Sequence, residues 1–178
     1  MKFKTKDITK IALLVALIAV GAFISIPLGP VPFTLQNFFI FMTGLLLTPF
    51  YAGLTVFIYV LLGLIGIPIF AGFTGGFQSV LKPSFGFLIA FIIGAIFISK
   101  FAHGEKKFGK IMIVLVIAEV IFYAIGLPYM YYILNVVMGN SMDISKILSL
   151  GMIPFIIPDM AKAVVAAIIA PRIKKAIK

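Results

Sequence analysis

Residues 153 to 170 read I-P-F-I-I-P-D-M-A-K-A-V-V-A-A-I-I-A, an apolar and alanine-rich run that contains two charged side chains. Asp159 and Lys162 are three residues apart, so on a helix they share a face and can pair or bind one ligand together. Ionisable residues at membrane depth are costly and usually face a cavity or a pathway. If this run lies in a bilayer, the pair is predicted to form the polar end of a small-molecule site.

The composition of the whole chain supports a membrane setting. Of its 178 residues, 63% are hydrophobic and 11% are charged, and the mean hydropathy is +1.25. A soluble domain is roughly 45 to 50% apolar and about 25% charged. No Asp, Glu, Lys or Arg occurs between Lys10 and Lys82, whereas one membrane helix needs only about 20 apolar residues. We therefore predict an integral membrane protein with several spans in that run.

The basic residues are concentrated in three places, although the net charge is +10. The positive-inside rule assigns all three clusters to the cytoplasm. No polar domain is available to present them to nucleic acid, so nucleic-acid binding is not expected. The clusters comprise twelve of the fifteen basic residues: Lys2, Lys4, Lys6 and Lys10; Lys100, Lys106, Lys107 and Lys110; and Arg172, Lys174, Lys175 and Lys178.

Glycine and proline, rather than charged residues, separate the apolar segments. We predict an all-α membrane bundle in a single domain, residues 1–178, with both termini in the cytoplasm. Six transmembrane helices are expected at about residues 8–26, 34–47, 51–65, 82–99, 111–131 and 152–171. The second and third are short for a hydrocarbon core of about 30 Å, so a re-entrant hairpin remains open for them.

Two outer connections precede the fourth helix. The first, P-L-G-P-V-P-F-T-L-Q at residues 27–36, contains three prolines that prevent a continuous helix. Three polar residues of these connections could bond a ligand or close a cover over it: Thr34 and Gln36 in the first, and Gln78 in the glycine-rich second connection at residues 67–79. For Thr34 and Gln36, helix capping alone remains equally open. Lys82 lies apart from the basic clusters, so it either reaches solvent or meets an anion.

Small residues on the first helix indicate a possible helix contact. Ala12 and Ala16 form a small-x-x-x-small pattern that lets another helix approach closely. The partner could be another subunit or a helix of the same chain.

Glu119 lies near the middle of the fifth predicted helix, and the sequence assigns it no role.

The sequence contains no motif typical of catalysis or of ATP hydrolysis. There is no Cys, the one His, His103, falls in a basic cytoplasmic loop, and no metal or triad spacing is present. No phosphate-binding G-x-x-x-x-G-K-[ST] loop occurs either. We therefore expect neither an enzyme nor a resident metal or cofactor, and any uphill transport must be powered by another subunit.

Five motifs follow one another along the chain: P-L-G-P-V-P-F-T-L-Q, G-L-L-L-T-P, G-L-I-G-I-P-I-F-A-G-F-T-G-G-F, K-P-S-F-G-F-L-I-A-F and P-F-I-I-P-D-M-A-K. Together they resemble the biotin-specific membrane subunits of energy-coupling factor transporters, the BioY family. The chain departs from that pattern at Pro158, where glycine is usual, and at Lys82 and Phe85, where many members read Gly-Pro-Thr-Gly-Gly. The resemblance implies a multi-pass protein of the prokaryotic cytoplasmic membrane that binds biotin near its outer face. It also implies a membrane scaffold subunit and two ATP-binding subunits as partners.

The chemistry of biotin assigns roles to the candidate residues under this resemblance. A carboxylate such as Asp159 can accept both N–H groups of the ureido ring. The valerate carboxylate needs a cation, which either Lys162 or Lys82 could supply. Ala12 and Ala16 would form the docking face for the partner subunits. The alternative for Asp159 and Lys162 is a structural ion pair that joins the last helix to a neighbour.

The sequence disfavours three other functions. A subunit of the same transporter class for thiamine or riboflavin would need ring-stacking aromatic residues in place of a ureido-binding carboxylate. A channel is disfavoured because the polar residues gather near one face and do not line a path. An intramembrane enzyme is disfavoured by the placement of His103.

Overall fold

The structure is a computed structural model and describes residues 4–176. Lys2 and Lys178, which belong to two of the predicted cytoplasmic clusters, lie outside the described residues. The described chain is mostly helical, as predicted. Its α-helices are α1 (Thr5–Phe23), α2 (Gln36–Leu46), α3 (Pro49–Leu64), α4 (Phe85–Ala102), α5 (Phe108–Tyr132), α6 (Ile144–Gly151) and α7 (Ile153–Ala176).

A small hairpin follows α1. Strand β1 (Ser25–Ile26) pairs antiparallel with β2 (Phe33–Thr34), and Ser25 lies opposite Thr34. The three prolines between residues 27 and 32 cannot continue a helix, so α1 ends at Phe23. The helix predicted to reach residue 26 is therefore shorter at this end, and the hairpin brings Thr34 back toward the bundle.

Two other segments differ from the predicted boundaries. A 3₁₀ turn at Phe77–Leu81 precedes α4, which begins at Phe85 and not at residue 82. The stretch between the fifth and sixth predicted helices contains a π-helical turn at Ile133–Val137 and the short helix α6. Asp143 caps α6, since its Oδ1 accepts a hydrogen bond from the backbone N–H of Lys146 at 2.8 Å.

The described part of the chain contains fewer helices of membrane-spanning length than the six spans predicted. Within residues 4–176, three helical segments are long and apolar enough to cross a membrane: Phe85–Ala102, Phe108–Val137 and Ile144–Ala176. Helices α2 and α3 are apolar but shorter. At 1.5 Å per residue, α2 covers about 16 Å of a core of about 30 Å. The six spans stay a prediction.

Packing within the bundle determines where the polar residues meet. Helix α5 packs most extensively against α4. A Cβ at Gly126 would lie 2.5 Å from Cδ1 of Phe87, so glycine is what permits this close approach. Helix α2 packs against both α4 and α7. Gln36 and Asn37, at the start of α2, are buried, and Asn37 lies beside Lys162 of α7.

Candidate ligand-binding site

An apolar cavity of about 410 Å³ lies between the hairpin and the ends of several helices. Its volume falls within the range usual for small-molecule sites, roughly 300 to 1,000 Å³. Apolar side chains provide most of its surface and polar side chains the rest, an arrangement that suits a ligand with a hydrophobic body and polar ends. The aromatic side chains in its walls are Phe70, Phe85, Phe87, Phe91, Phe122, Tyr123 and Phe155.

Asp159 and Lys162 lie on one face of α7 and border this cavity together. The Nζ of Lys162 is 2.8 Å from Oδ1 of Asp159. The two residues are only 6% and 8% exposed. The structure thus brings the two residues together, as an ion pair that is itself part of the cavity wall.

The ammonium of Lys162 makes three hydrogen bonds to oxygen atoms. It donates to the backbone oxygen of Thr34 at 2.7 Å, to Oδ1 of Asn37 at 2.9 Å and to Oδ1 of Asp159 at 2.8 Å. An ammonium has three N–H donors, so all of them have protein acceptors. The Nζ also lies 4.2 Å from the ring centroid of Phe33, at cation–π distance.

The carboxylate of Asp159 keeps unused acceptor capacity. Its Oδ2 accepts from the hydroxyl of Tyr123 at 3.1 Å, while Oδ1 accepts from Lys162. An ionised carboxylate has about four lone-pair sites, so these two bonds leave room for two more donors. The two bonds also fix the orientation of the group, because one comes from α5 and the other from the helix of Asp159 itself, α7.

Asn37 and Glu119 extend this network into the bundle. Nδ2 of Asn37 donates to Oε1 of Glu119 at 3.3 Å, and both residues are buried and border the cavity. The sequence patterns did not indicate Asn37, and they predicted no role for Glu119. One signal could have found Asn37: it is the only Asn in the charge-free run over residues 11–81.

Lys82 contributes a second cation to the cavity. Its Nζ donates to Oγ1 of Thr74 at 2.9 Å, and both residues line the cavity. Ser79, which also lines it, has a buried hydroxyl without a hydrogen-bond partner among the described residues. Polar groups that can bind an anion therefore collect around Lys82.

Thr34 and Gln36 both border the cavity. The Oγ1 of Thr34 accepts from the backbone N–H of Gln36 at 3.2 Å. Thr34 therefore makes a local hydrogen bond and is also part of the cavity wall. Gln36 is 4% exposed, and its Nε2 has no partner among the described residues. Since a buried donor without an acceptor is costly, this amide is suited to a ligand oxygen.

Gln78 does not border the cavity. Its side chain is exposed, and its Nε2 donates to the backbone oxygen of Gly75 at 2.8 Å. In the 3₁₀ turn, Gln78 is exposed and Ser79 is buried. The glycine-rich connection therefore brings a neighbouring residue to the cavity in place of the one expected.

Ala12 and Ala16 are exposed on α1. The opposite face of the helix carries the buried residues Ile11, Leu14, Val15 and Ile18. The small-x-x-x-small face is therefore not covered by the described part of the chain, which disfavours packing against the protein's own helices.

Comparison with known proteins gives consistent results. A sequence model described as the BioY family matches residues 1–178. The chain is 44% identical over 170 residues to a protein of Thermotoga maritima named biotin transporter BioY, with 96% of each chain covered. It is 40% identical over 171 residues to a probable biotin transporter BioY of Pyrococcus horikoshii, covering 96% of this chain and 98% of that one.

A solved structure shares the fold. It is the crystal structure of the S-component for biotin from an ECF-type ABC transporter, and it superposes with a TM-score of 0.83 at 30% sequence identity. The match covers 98% of this chain and 95% of that one. The similarity therefore extends over almost the full length of both chains.

Proposed function

The chain belongs to the BioY family, and on that premise we propose that it is the high-affinity biotin-binding membrane subunit of an energy-coupling factor vitamin importer. One observation carries the proposal. Asp159 is a buried carboxylate with unused acceptor capacity in an aromatic cavity of about 410 Å³ that also contains Lys82. Biotin has the matching chemistry, with N–H donors at one end, an apolar body and a carboxylate at the other end.

Asp159 accepts the ureido N–H groups in this proposal. The bonds from Lys162 and Tyr123 hold the carboxylate in one orientation, which lowers the entropic cost of binding. The unpaired Nε2 of Gln36 is assigned to the ureido oxygen, since the ring presents one carbonyl acceptor beside its two donors.

Lys82, rather than Lys162, is assigned to the valerate carboxylate. All three donors of Lys162 already have acceptors, so a ligand would have to displace one of them. Lys82 donates to the neutral hydroxyl of Thr74, which leaves two of its three donors for an anion. The hydroxyl of Ser79 is a further donor at the same place.

The membrane arrangement completes the proposal. The chain forms a single transmembrane domain of six spans in the prokaryotic cytoplasmic membrane, with both termini in the cytoplasm. The basic cluster after α4 supports this, since positive charges favour the cytoplasmic side. The cavity then lies near the outer face, at the other end of the helices.

Partner subunits supply the energy. A membrane scaffold subunit and two ATP-binding subunits are proposed to act with this chain, whose sequence has no ATP-binding motif. The exposed face with Ala12 and Ala16 supports docking of a scaffold helix, because two small residues one turn apart allow close backbone approach.

Titration of the purified protein with biotin, thiamine and riboflavin in a calorimeter tests the ligand. We expect tight one-to-one binding of biotin only, and native mass spectrometry should show the same complex. Binding of thiamine or riboflavin in place of biotin would overturn the assignment. For the energy source, the lone chain in liposomes should not accumulate biotin; sustained uphill accumulation without partners would refute the dependence on ATPases.

A further inference from the structure

Glu119 is a buried carboxylate that the proposed recognition of biotin does not use. It lies on α5 at 4% exposure and accepts from Nδ2 of Asn37 on α2. Asn37 in turn accepts from Lys162 on α7. The three side chains form one connected chain of hydrogen bonds that joins three helices and ends at Asp159.

The amide of Asn37 has only one orientation that satisfies both neighbours. Its oxygen faces the ammonium of Lys162 at 2.9 Å, and its nitrogen faces the carboxylate of Glu119 at 3.3 Å. A rotation by half a turn would place the N–H donors against the ammonium and the oxygen against the carboxylate. Glu119 accepts from the nitrogen end of the amide, and so stabilises the orientation in which the oxygen meets Lys162.

Lys162 depends on that orientation to keep its third acceptor. With the oxygen of Asn37 in place, the ammonium is held between α2, β2 and α7. Without it, one buried donor would have no partner, and Lys162 would have to move to find another acceptor. Any such movement shifts the hydrogen bond that orients the carboxylate of Asp159.

We propose that Glu119 is a positioning residue for biotin recognition, which acts through Asn37 and Lys162 to hold the carboxylate of Asp159 in its ligand-binding orientation. This inference rests on the proposed function. Glu119 also borders the cavity, so the experiment must separate positioning through Asn37 from direct contact with the ligand.

A pair of substitutions at Glu119 gives the first test. Glu119→Gln keeps an oxygen that accepts from Asn37, whereas Glu119→Met has a similar size and no acceptor. We expect the Kd for biotin to change less than about threefold in the Gln variant and to rise by about tenfold or more in the Met variant. Equal losses in both variants would overturn the proposal, because the hydrogen bond would then not be the relevant property.

A compensating exchange gives the second test and does not depend on the Met variant folding. Asn37→Asp keeps an acceptor for Lys162 but places two carboxylates against each other, so biotin affinity should fall about tenfold or more. Adding Glu119→Gln supplies an amide donor for the new carboxylate. The double variant should regain most of the lost affinity, as a non-additive pair in a double-mutant cycle.

The outcomes separate the two proposals. A role in packing or direct ligand contact predicts additive losses in the double variant, and that result would refute positioning by Glu119. Thermal unfolding without biotin, measured for all variants, reports stability separately from affinity. If the wild-type chain does not bind biotin at all, the proposed function itself fails, independently of any result at Glu119.

Discussion

The Nζ of Lys162 lies 2.8 Å from Oδ1 of Asp159, and both side chains border one apolar cavity. Buried ion pairs contribute little net stability, because desolvation of the two charges offsets most of their attraction. This pair therefore has a better explanation in ligand recognition than in folding. The hydrogen bond fixes the direction of the carboxylate while leaving acceptor sites available.

Replacement of the carboxylate should weaken binding without unfolding the chain. Asp159→Asn keeps the shape but turns one acceptor into a donor that faces a ureido N–H. We expect the Kd for biotin, measured by calorimetry, to rise by about tenfold or more. Asp143→Asn on the exposed cap of α6 is the matched control and should leave the Kd unchanged. If Asp159→Asn binds as tightly as the wild type, Asp159 is not part of the site.

Lys82 should discriminate between charged and neutral ligands. Lys82→Met is expected to weaken biotin binding by about tenfold or more, because the valerate carboxylate loses its cation. The same substitution should hardly affect biotinamide, whose tail is uncharged. Competition titrations with both ligands measure the difference, and the exposed Lys146→Met serves as control. Equal losses for biotin and biotinamide would place the tail elsewhere.

The exposed alanines of α1 should matter for assembly and not for binding. Ala12→Leu combined with Ala16→Leu places bulk on the proposed docking face, so co-purification with the scaffold subunit should be lost while the Kd for biotin stays the same. Ala124→Leu adds equal bulk at an exposed position of α5 and should leave the complex intact. A complex that survives the double substitution would rule out this face.

Glu105, in the connection between α4 and α5, gives a pH-dependent prediction. The ammonium of Lys110, 2.8 Å from Oε2, and the backbone N–H groups of Lys107 and Lys106 lower the pKa of Glu105 to about 2. A carboxyl with a lowered pKa stabilises the fold above its unfolded pKa of about 4.3, and loses this effect as the pH falls through its folded pKa.

The corresponding experiment compares wild type with Glu105→Gln by thermal unfolding in detergent. At pH 7 the variant should melt at a slightly lower temperature, since exposed ion pairs contribute little. The difference should shrink as the pH falls from about 4.3 toward 2. A difference that stays constant over this range would show that the charge of Glu105 is not responsible. Biotin affinity should not change at pH 7.

Local features of the chain were predictable because they depend on residues close in sequence. The spacing of Asp159 and Lys162 implied a shared helix face, and α7 has this arrangement. The prolines at residues 27 to 32 implied an interruption after α1, which the structure fills with a hairpin. Gln78 and Ser79 show the limit of such reasoning, since one residue of register in a short turn decided which of them faces the cavity.

The sequence by itself determined a membrane-embedded helical protein. So long an apolar run without charged residues is unfavourable in water, and within a bilayer each apolar segment can satisfy its own backbone hydrogen bonds only as a helix. Tertiary structure alone decided which polar groups meet. Asn37 is 82 residues from Glu119 and 125 from Lys162, and only the packing of α2 and α5 against α4 and α7 brings them within hydrogen-bond distance. Two of the three acceptors of Lys162 come from such distant residues, so the fold leaves Lys162 without a spare donor, whereas Lys82 donates only to Thr74. The spacing of residues along the chain does not reveal this difference, because it depends on contacts between separate elements of the fold.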